Sequence, residues 1–196
     1  GPRSDLNGMT DGYTVFETVA GFAAIGWNAK GIHSFRLPAD TAREVERSLL
    51  RRLPSAEAAV PPASVQAVIG DARRYFAGER VDFARVPVAL GAQEPFFERV
   101  YGFVRQLGWG ETATYGTIAK ALEVGPEFAR DVGQAMASNP VPLIIPCHRV
   151  TAANGKIGGF SAPGGALSKA RMLGLEGVEV RDGVVIRDMP QLGLGF

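Results

Sequence analysis

The sequence predicts an α/β (α+β) N-terminal domain with an antiparallel sheet, joined to a mainly α C-terminal domain that contains a helix-turn-helix. Three observations carry this prediction. Near the start, short runs rich in β-branched and aromatic residues are separated by glycine-bearing turns. Past Gly91–Glu94 the pattern changes to apolar residues at helical spacing. Two short helical stretches then flank Glu123-Val124-Gly125, the arrangement of two helices around a tight turn.

Taken in order, "YTVFETV" (Tyr13–Val19) and "FAAIGW" (Phe22–Trp27) are separated by Ala20-Gly21, and "IHSFRL" follows the turn signal Asn28–Gly31, so an antiparallel meander is expected. Asp40 is the expected N-cap of a helix with Val45, Leu49 and Leu53 at helical spacing. A proline- and alanine-rich loop (Pro54–Pro62) leads to a second helix, "ASVQAVIGDARRYFAGE", stopping near Gly78. "VPVAL" reads as a last short strand, and His33 as a satisfied structural residue. This half is expected to be a packing module with no chemistry of its own. Helix "PFFERVYGFVRQL" opens the second half with Pro95 in its first turn and Phe96, Val100, Phe103, Val104 and Leu107 on one face. Helices over Tyr115–Leu122 and Pro126–Ser138 follow. The latter puts Arg130 and Gln134 on one face at i, i+4. Its small residues Ala129, Gly133, Ala135 and Ala137 either admit a close partner or let the helix pack tightly, and both readings stand. The expected boundaries are residues 1–8 as a protease scar and linker, 9–92 and 93–180 as domains, and 181–196 as a tail with a hairpin signal at Asp182-Gly183.

With 196 residues, 46% apolar and 21% charged, the chain can bury a real core and belongs to the soluble globular class. No apolar run approaches the roughly 20 residues of a membrane span, and no basic leader precedes an apolar stretch, so a cytoplasmic protein is expected. One cysteine rules out an internal disulfide and, with two histidines, makes no convincing zinc site, so neither metal nor cofactor is expected. The formal net charge of +1 decides nothing about nucleic acid, which would have to rest on a local patch.

That cysteine lies in "NPVPLIIPCHRV" (Asn139–Val150), among Pro140, Pro142 and Pro146. Three prolines predict a stiff, extended segment, and Leu143-Ile144-Ile145 reads as a buried, strand-like run. Adjacent side chains of an extended chain point to opposite sides, so Cys147 and His148 would touch only across a kink or through a water. A reactive thiolate needs a proton acceptor or a nearby cation, and an imidazole base needs an acid to orient it; the segment contains none. From these residues alone an inert core cysteine and a nucleophile both remain open, the inert one favoured.

"IPCHRV" resembles the active-site signature of the O6-alkylguanine-DNA alkyltransferases. "FFERVYGFVRQLGWGETATYGTIAKAL", "ARDVGQAMASNP", "GKIGGF" and "KARMLGLEG" resemble further stretches of the same family, so the likeness runs almost continuously from Pro95 to Gly177. The resemblance implies a protein that turns an O6-alkylated guanine out of duplex DNA and transfers the alkyl group irreversibly to Cys147, once per molecule. An alkyl group on O6 lies inside the stack, so attack requires base flipping, at a few kcal/mol. The family pattern makes Arg130 the finger that fills the gap and Tyr115 the residue that crowds the phosphate. Gln134 and Ala129 would lie with the helix in the minor groove, about 6 Å wide, largely independently of sequence. Cys147 would be the nucleophile, His148 its base through a water, Glu176 the orienting acid, and Asn139 the brace of the cysteine loop. Tyr115 and Ser161 would hydrogen-bond the base, Val150 would read its exocyclic amine through the backbone, and Phe160 and Pro142 would border the alkyl pocket. A monomer, nucleoid-associated when bound to double-stranded DNA, is expected.

Departures from the family pattern are Gly108 where proline is common, Tyr101 where tryptophan is common, Phe160 where tyrosine is common, and a longer "FSAPGG" loop. The rivals are an alkyltransferase-like lesion-binding protein without transfer, which Cys147 in an intact signature opposes, a helix-turn-helix regulator and a cysteine hydrolase.

Overall fold

The computed structural model describes residues 12–157 and 166–186. Strands β1 (Gly12–Thr18), β2 (Gly21–Asn28) and β3 (Gly31–Ala39) form the expected antiparallel meander, β1 and β2 pairing from Gly12↔Trp27 to Thr18↔Gly21. A short strand, β4 (Glu57–Ala58), adds to β1 in parallel, giving the order β3-β2-β1-β4. It lies inside the stretch expected to be a loop, because two residues between prolines carry too little pattern to read as a strand. "VPVAL" forms no strand. It makes one bridge to Ile32, which donates to the Pro87 carbonyl at 3.0 Å and accepts from Ala89 at 2.8 Å, and Pro87 has no N–H to extend the ladder.

Alternation splits the sheet residues between two cores. Tyr13, Ala24 and Ala39 face Val45 and Leu49 of helix α1 (Ala42–Arg52). Phe16, Ile25 and Phe35 face Val65, Val68, Ile69 and Ala72 of helix α2 (Ala63–Phe76). Thr41, rather than Asp40, caps α1: its hydroxyl accepts from Glu44 N at 3.1 Å, and Thr41 with Glu44 is the spacing of a capping box. His33 is half-buried on β3.

The α2-side core continues without a break into the second half, through Val100, Val104, Ile118, Val132, Met136, Ile144 and Ile145. Helix α3 (Pro95–Val104) has proline in its first turn as expected. Helix α4 (Tyr115–Ala121) is capped by Thr114, and helix α5 (Ala129–Ala137) is preceded by a 3-10 turn, Pro126–Phe128. Between α4 and α5 the left-handed residue is Glu123 (φ 60°); the glycine of the turn, Gly125, has φ −69°. Two-residue strands β5 (Ala113–Thr114) and β6 (Val150–Thr151) pair in parallel and tie the start of α4 to the end of the cysteine loop. Helix α6 (Ala166–Leu175) leads to the hairpin of β7 (Val180–Arg181) and β8 (Val184–Val185), turning at Asp182 (φ 53°) and Gly183 (φ 75°) as the Asp-Gly pair predicts.

Candidate active site

The cysteine loop is compact rather than extended. Leu143 takes a left-handed conformation (φ 79°), Pro142 bridges Ile145, and Ile145 N donates to Val141 O at 2.9 Å. Leu143-Ile144-Ile145 are buried, as expected, but in a turn and not a strand. A left-handed leucine costs about 1–2 kcal/mol, so neighbouring contacts must enforce it. Asn139, 1% exposed, does so from within: its side-chain amide donates to Ile145 O at 2.9 Å and its carbonyl accepts from Val141 N at 3.0 Å. Cys147 then opens a 3-10 turn (Cys147–Arg149) and is 2% exposed. This turn is the kink that an extended reading lacked.

His148 is fully buried, with Nε2 2.7 Å from Glu176 Oε2. Glu176 lies just past α6 and is far from a simple pair partner. Its Oε1 accepts from Arg149 Nε at 2.8 Å and from Gly110 N at 3.0 Å. Its Oε2 accepts from Arg149 Nη2 at 3.0 Å and from the Tyr75 hydroxyl at 2.6 Å. Gly110 has φ 75°, a conformation that presents its N–H to the carboxylate and favours glycine. Burial alone would push the Glu176 carboxyl up, but hydrogen bonds from His148, Arg149 and Tyr75 outweigh it and hold it far below the usual carboxylate range. Burial pushes His148 down, against the pull of Glu176 and helped by the charges of Arg149 and Lys169. The imidazole is therefore neutral, and facing a carboxylate that does not take its proton, Nε2 carries the hydrogen. Nδ1 is the remaining acceptor, buried and without a hydrogen-bond partner among the described residues.

Burial pushes the Cys147 thiol up, while a hydrogen bond with Asn139 and the charges of Lys169 and Arg36 pull it down. Lys169 is 1% exposed, donates to Val150 O at 2.5 Å, and burial lowers its pKa to about 8. Sequence reasoning missed four groups here: Tyr75, Arg149, Lys169 and Arg36. Lys169 and Glu176 are seven residues apart, two helical turns on one face, which is a legible signal. Tyr75 gives none, because its partner is 101 residues away.

Tyr115 starts α4, half-buried, and its ring covers Gly133 of α5, where a Cβ would stand 3.6 Å from two ring carbons. Burial, and to a lesser extent the charge of Cys147, raise its pKa. Arg130 and Gln134 are exposed together on α5 as expected, and Arg130 makes no hydrogen bond or ion pair among the described residues. The small residues of α5 divide: Ala137 is exposed, Ala129 half-buried, and Ala135 wholly buried, so the outward reading fails for Ala135. Its carbonyl accepts from the buried Tyr101 hydroxyl at 2.9 Å, because this face of the helix packs on α3. Pro142 and Val150 are buried in the loop, and Phe160 and Ser161 lie outside the described residues. No group of three or more metal-ligating side chains occurs among the described residues, nor any helix long and apolar enough to cross a membrane.

A buried thiol followed by an imidazole that a carboxylate orients, on a chain that also carries two short helices around a tight turn with an exposed arginine, defines the class of protein to compare. The family model of the 6-O-methylguanine DNA methyltransferase DNA binding domain matches residues 95–178. A methylated-DNA–protein-cysteine methyltransferase of Metallosphaera sedula is 47% identical over 103 residues, 53% of this chain and 62% of that protein. A DNA base-flipping protein of Thermus thermophilus is 37% identical over 123 residues, 63% of this chain and 79% of that protein. The structure of the O6-methylguanine methyltransferase of Mycobacterium tuberculosis superposes with a TM-score of 0.66 over 93% of this chain and 99% of that one, at 28% identity. The chain spans 62–63% of the length of the first curated relatives it matches. It belongs to the O6-methylguanine-DNA methyltransferase family.

Proposed function

We propose that this protein repairs duplex DNA by turning O6-alkylguanine out of the stack and moving the alkyl carbon irreversibly onto Cys147. The observation that carries the reading is the state of His148. Its Nε2 is tied to Glu176 at 2.7 Å, and its Nδ1 lone pair is left buried and available beside the thiol turn. Arg149 neutralises Glu176, so the acid orients the imidazole without taking its proton.

The thiol enters the reaction protonated, since burial raises it. Its proton passes to Nδ1 of His148 through a water, and the sulfur attacks the alkyl carbon. The S–C bond forms as the C–O6 bond breaks. The departing electron pair goes to the guanine, which takes the proton back from His148 and leaves neutral. Tyr115 donates toward the base, favouring that departure, and the Asn139 brace keeps the sulfur aimed. The thioether has no hydrolytic exit, so each molecule acts once. Arg130 fills the space the nucleotide leaves, and Ala129 and Gln134 lie with it against the minor groove, where phosphate and shape contacts make binding indifferent to sequence.

A duplex oligonucleotide carrying O6-methylguanine tests this. After incubation, mass spectrometry should find one methyl in place of one hydrogen on the peptide containing Cys147, and Cys147→Ala should bind the duplex without gaining mass. Tight lesion binding by the intact protein with no mass change would replace transfer by lesion marking, the activity nearest to the name of the T. thermophilus relative.

A further inference from the structure

We infer that Tyr75, which comes from the sheet-bearing half of the chain, is a positioning residue for the Glu176–His148 pair, so that this half is a working part of the active site. The inference rests on the transfer reading above and deepens it. Tyr75 stands in the last turn of α2 and is wholly buried. Its hydroxyl is 2.6 Å from Glu176 Oε2, 3.3 Å from His148 Nε2 and 3.3 Å from Met172 O. It has one proton to give, and the short approach to a charged oxygen wins over a neutral carbonyl at longer range. The Tyr75 oxygen then faces the Nε2–H of His148 with a lone pair.

Arg149 fixes the plane of the carboxylate with its fork. Tyr75, donating to Oε2 beside the imidazole, draws charge out of that oxygen and so sets how strongly Glu176 pulls on the imidazole proton. The groups facing His148 are Glu176 and Lys169 at α6, Arg149 and Cys147 on its own turn, and Tyr75 from α2. Of these, Tyr75 alone belongs to the first half. Its ring is set by edge contacts with Phe76, Phe83 and Trp109, at centroid distances of 5.1, 6.1 and 5.7 Å. A phenylalanine would keep every one of these and lose only the hydroxyl. An apolar cage of this kind tolerates a buried hydroxyl only if it is hydrogen-bonded.

The experiment compares the full chain with its Tyr75→Phe variant and with protein carrying 3-fluorotyrosine at position 75, whose phenol is the stronger donor. The first readout is the NMR signal of the His148 Nε2–H proton, assigned by comparison with a His33→Gln variant. Loss of the hydroxyl should strengthen the His148–Glu176 bond and move that signal downfield, and fluorination should move it upfield. Alkyl transfer from O6-benzylguanine is then timed against pH. Because transfer needs a neutral imidazole, the acid limb of Tyr75→Phe should move to higher pH, with about a threefold to tenfold slower rate on that limb and recovery above it. An unmoved Nε2–H signal in the variants overturns the inference, whether or not the rate falls, and so does a uniform loss of rate with an unchanged profile. If Tyr75→Phe fails to fold, the fluorotyrosine protein decides alone by the direction of its shift. The NMR readout needs no alkyl transfer, so failure of the transfer reading appears separately, as unreactive wild-type protein.

Discussion

Asn139 donates through its side-chain amide to the carbonyl of Ile145 at 2.9 Å, two residues before Cys147. The same side chain accepts from Val141, so one residue closes both sides of a loop whose tip is a left-handed leucine. Asn139→Ala leaves the buried Val141 N–H unpaired, worth roughly 1–3 kcal/mol, and leaves the Ile145 carbonyl with Cys147 N, at 2.7 Å, as its remaining donor. The expected outcome is a lower urea midpoint together with a slower rate of Cys147 alkylation. Asn139→Asp should do worse, since a carboxylate would meet the Ile145 carbonyl. An alkylation rate unchanged in both variants would mean that the loop holds its shape without the brace.

Glu176 carries a second prediction. Glu176→Gln keeps the shape of the side chain but removes the charge facing Arg149, which is 8% exposed. Breaking one partner of such a buried pair costs roughly 3–5 kcal/mol. A charge deletion that shifts the denaturation midpoint no further than a surface substitution would show the pair to be solvated. The amide also has an N–H that cannot accept from Nε2, so the tautomer preference of His148 weakens and transfer should slow even in the protein that remains folded.

These two sites differ in how much of them the sequence exposes. Asn139, Cys147 and His148 are close in the chain and stand out as a segment, but their residue types leave the thiol open between an inert and a nucleophilic role until the family resemblance is added. Glu176 was legible only through the family resemblance. The extended shape expected of the loop failed because prolines restrict φ locally but do not prevent Leu143 from turning the chain between them. The meander was legible because alternation and glycine turns are local signals, whereas β4 depends on pairing with β1 and has no local signature. Tyr75 was missed for the same reason: its ring reads as a core aromatic at helical spacing, and what its hydroxyl meets is decided by how the two halves meet. The cap at Thr41 rather than Asp40 has a local signature, since Glu44 follows Thr41 by three residues.

Stability should fall on mild acidification, and the sign follows from the buried histidine. The folded-state pKa of His148 is lowered from an ordinary value of 6.5. Its contribution to stability is thus fully present above 6.5 and is lost as pH falls toward the folded value, because the unfolded chain binds the proton first. Glu176, also lowered, adds loss only at pH values below the ordinary carboxylate range. On the alkaline side Cys147 and Lys169 act in opposite senses, so the acid side is the clean test. Urea midpoints measured between pH 7 and 5.5 should decline in both the wild type and a His33→Gln variant, since the chain has two histidines. A decline that disappears with His33→Gln would assign the effect to His33.

Tyr101 anchors α5 from beneath, and its loss separates packing from chemistry. Its hydroxyl, 2% exposed with the rest of the side chain, donates to Ala135 O at 2.9 Å, and burial raises its pKa to about 12. Tyr101→Phe should cost about 1 kcal/mol of stability, the net worth of one such bond. It should weaken duplex binding only as far as it loosens the helix, and leave alkylation by free O6-benzylguanine unchanged.

Arg130 should show the opposite division, and the comparison tests the flipping role directly. It is exposed on α5, with no partner among the described residues to hold it on the protein. Arg130→Ala should therefore leave folding intact. It should leave reaction with free O6-benzylguanine near wild type, because a free base needs no extraction from a stack. On methylated duplex the rate should fall at least tenfold, since unstacking costs a few kcal/mol and nothing then fills the gap. Arg130→Lys should recover part of the charge contribution to binding but little of the duplex rate, because an ammonium on a flexible stem lacks the flat guanidinium that can stack between bases. The two substrates are timed in single-turnover assays under the same salt, as phosphate contacts make duplex binding salt-dependent. Equal losses on free base and duplex would remove Arg130 from base extraction and assign it to the pocket itself.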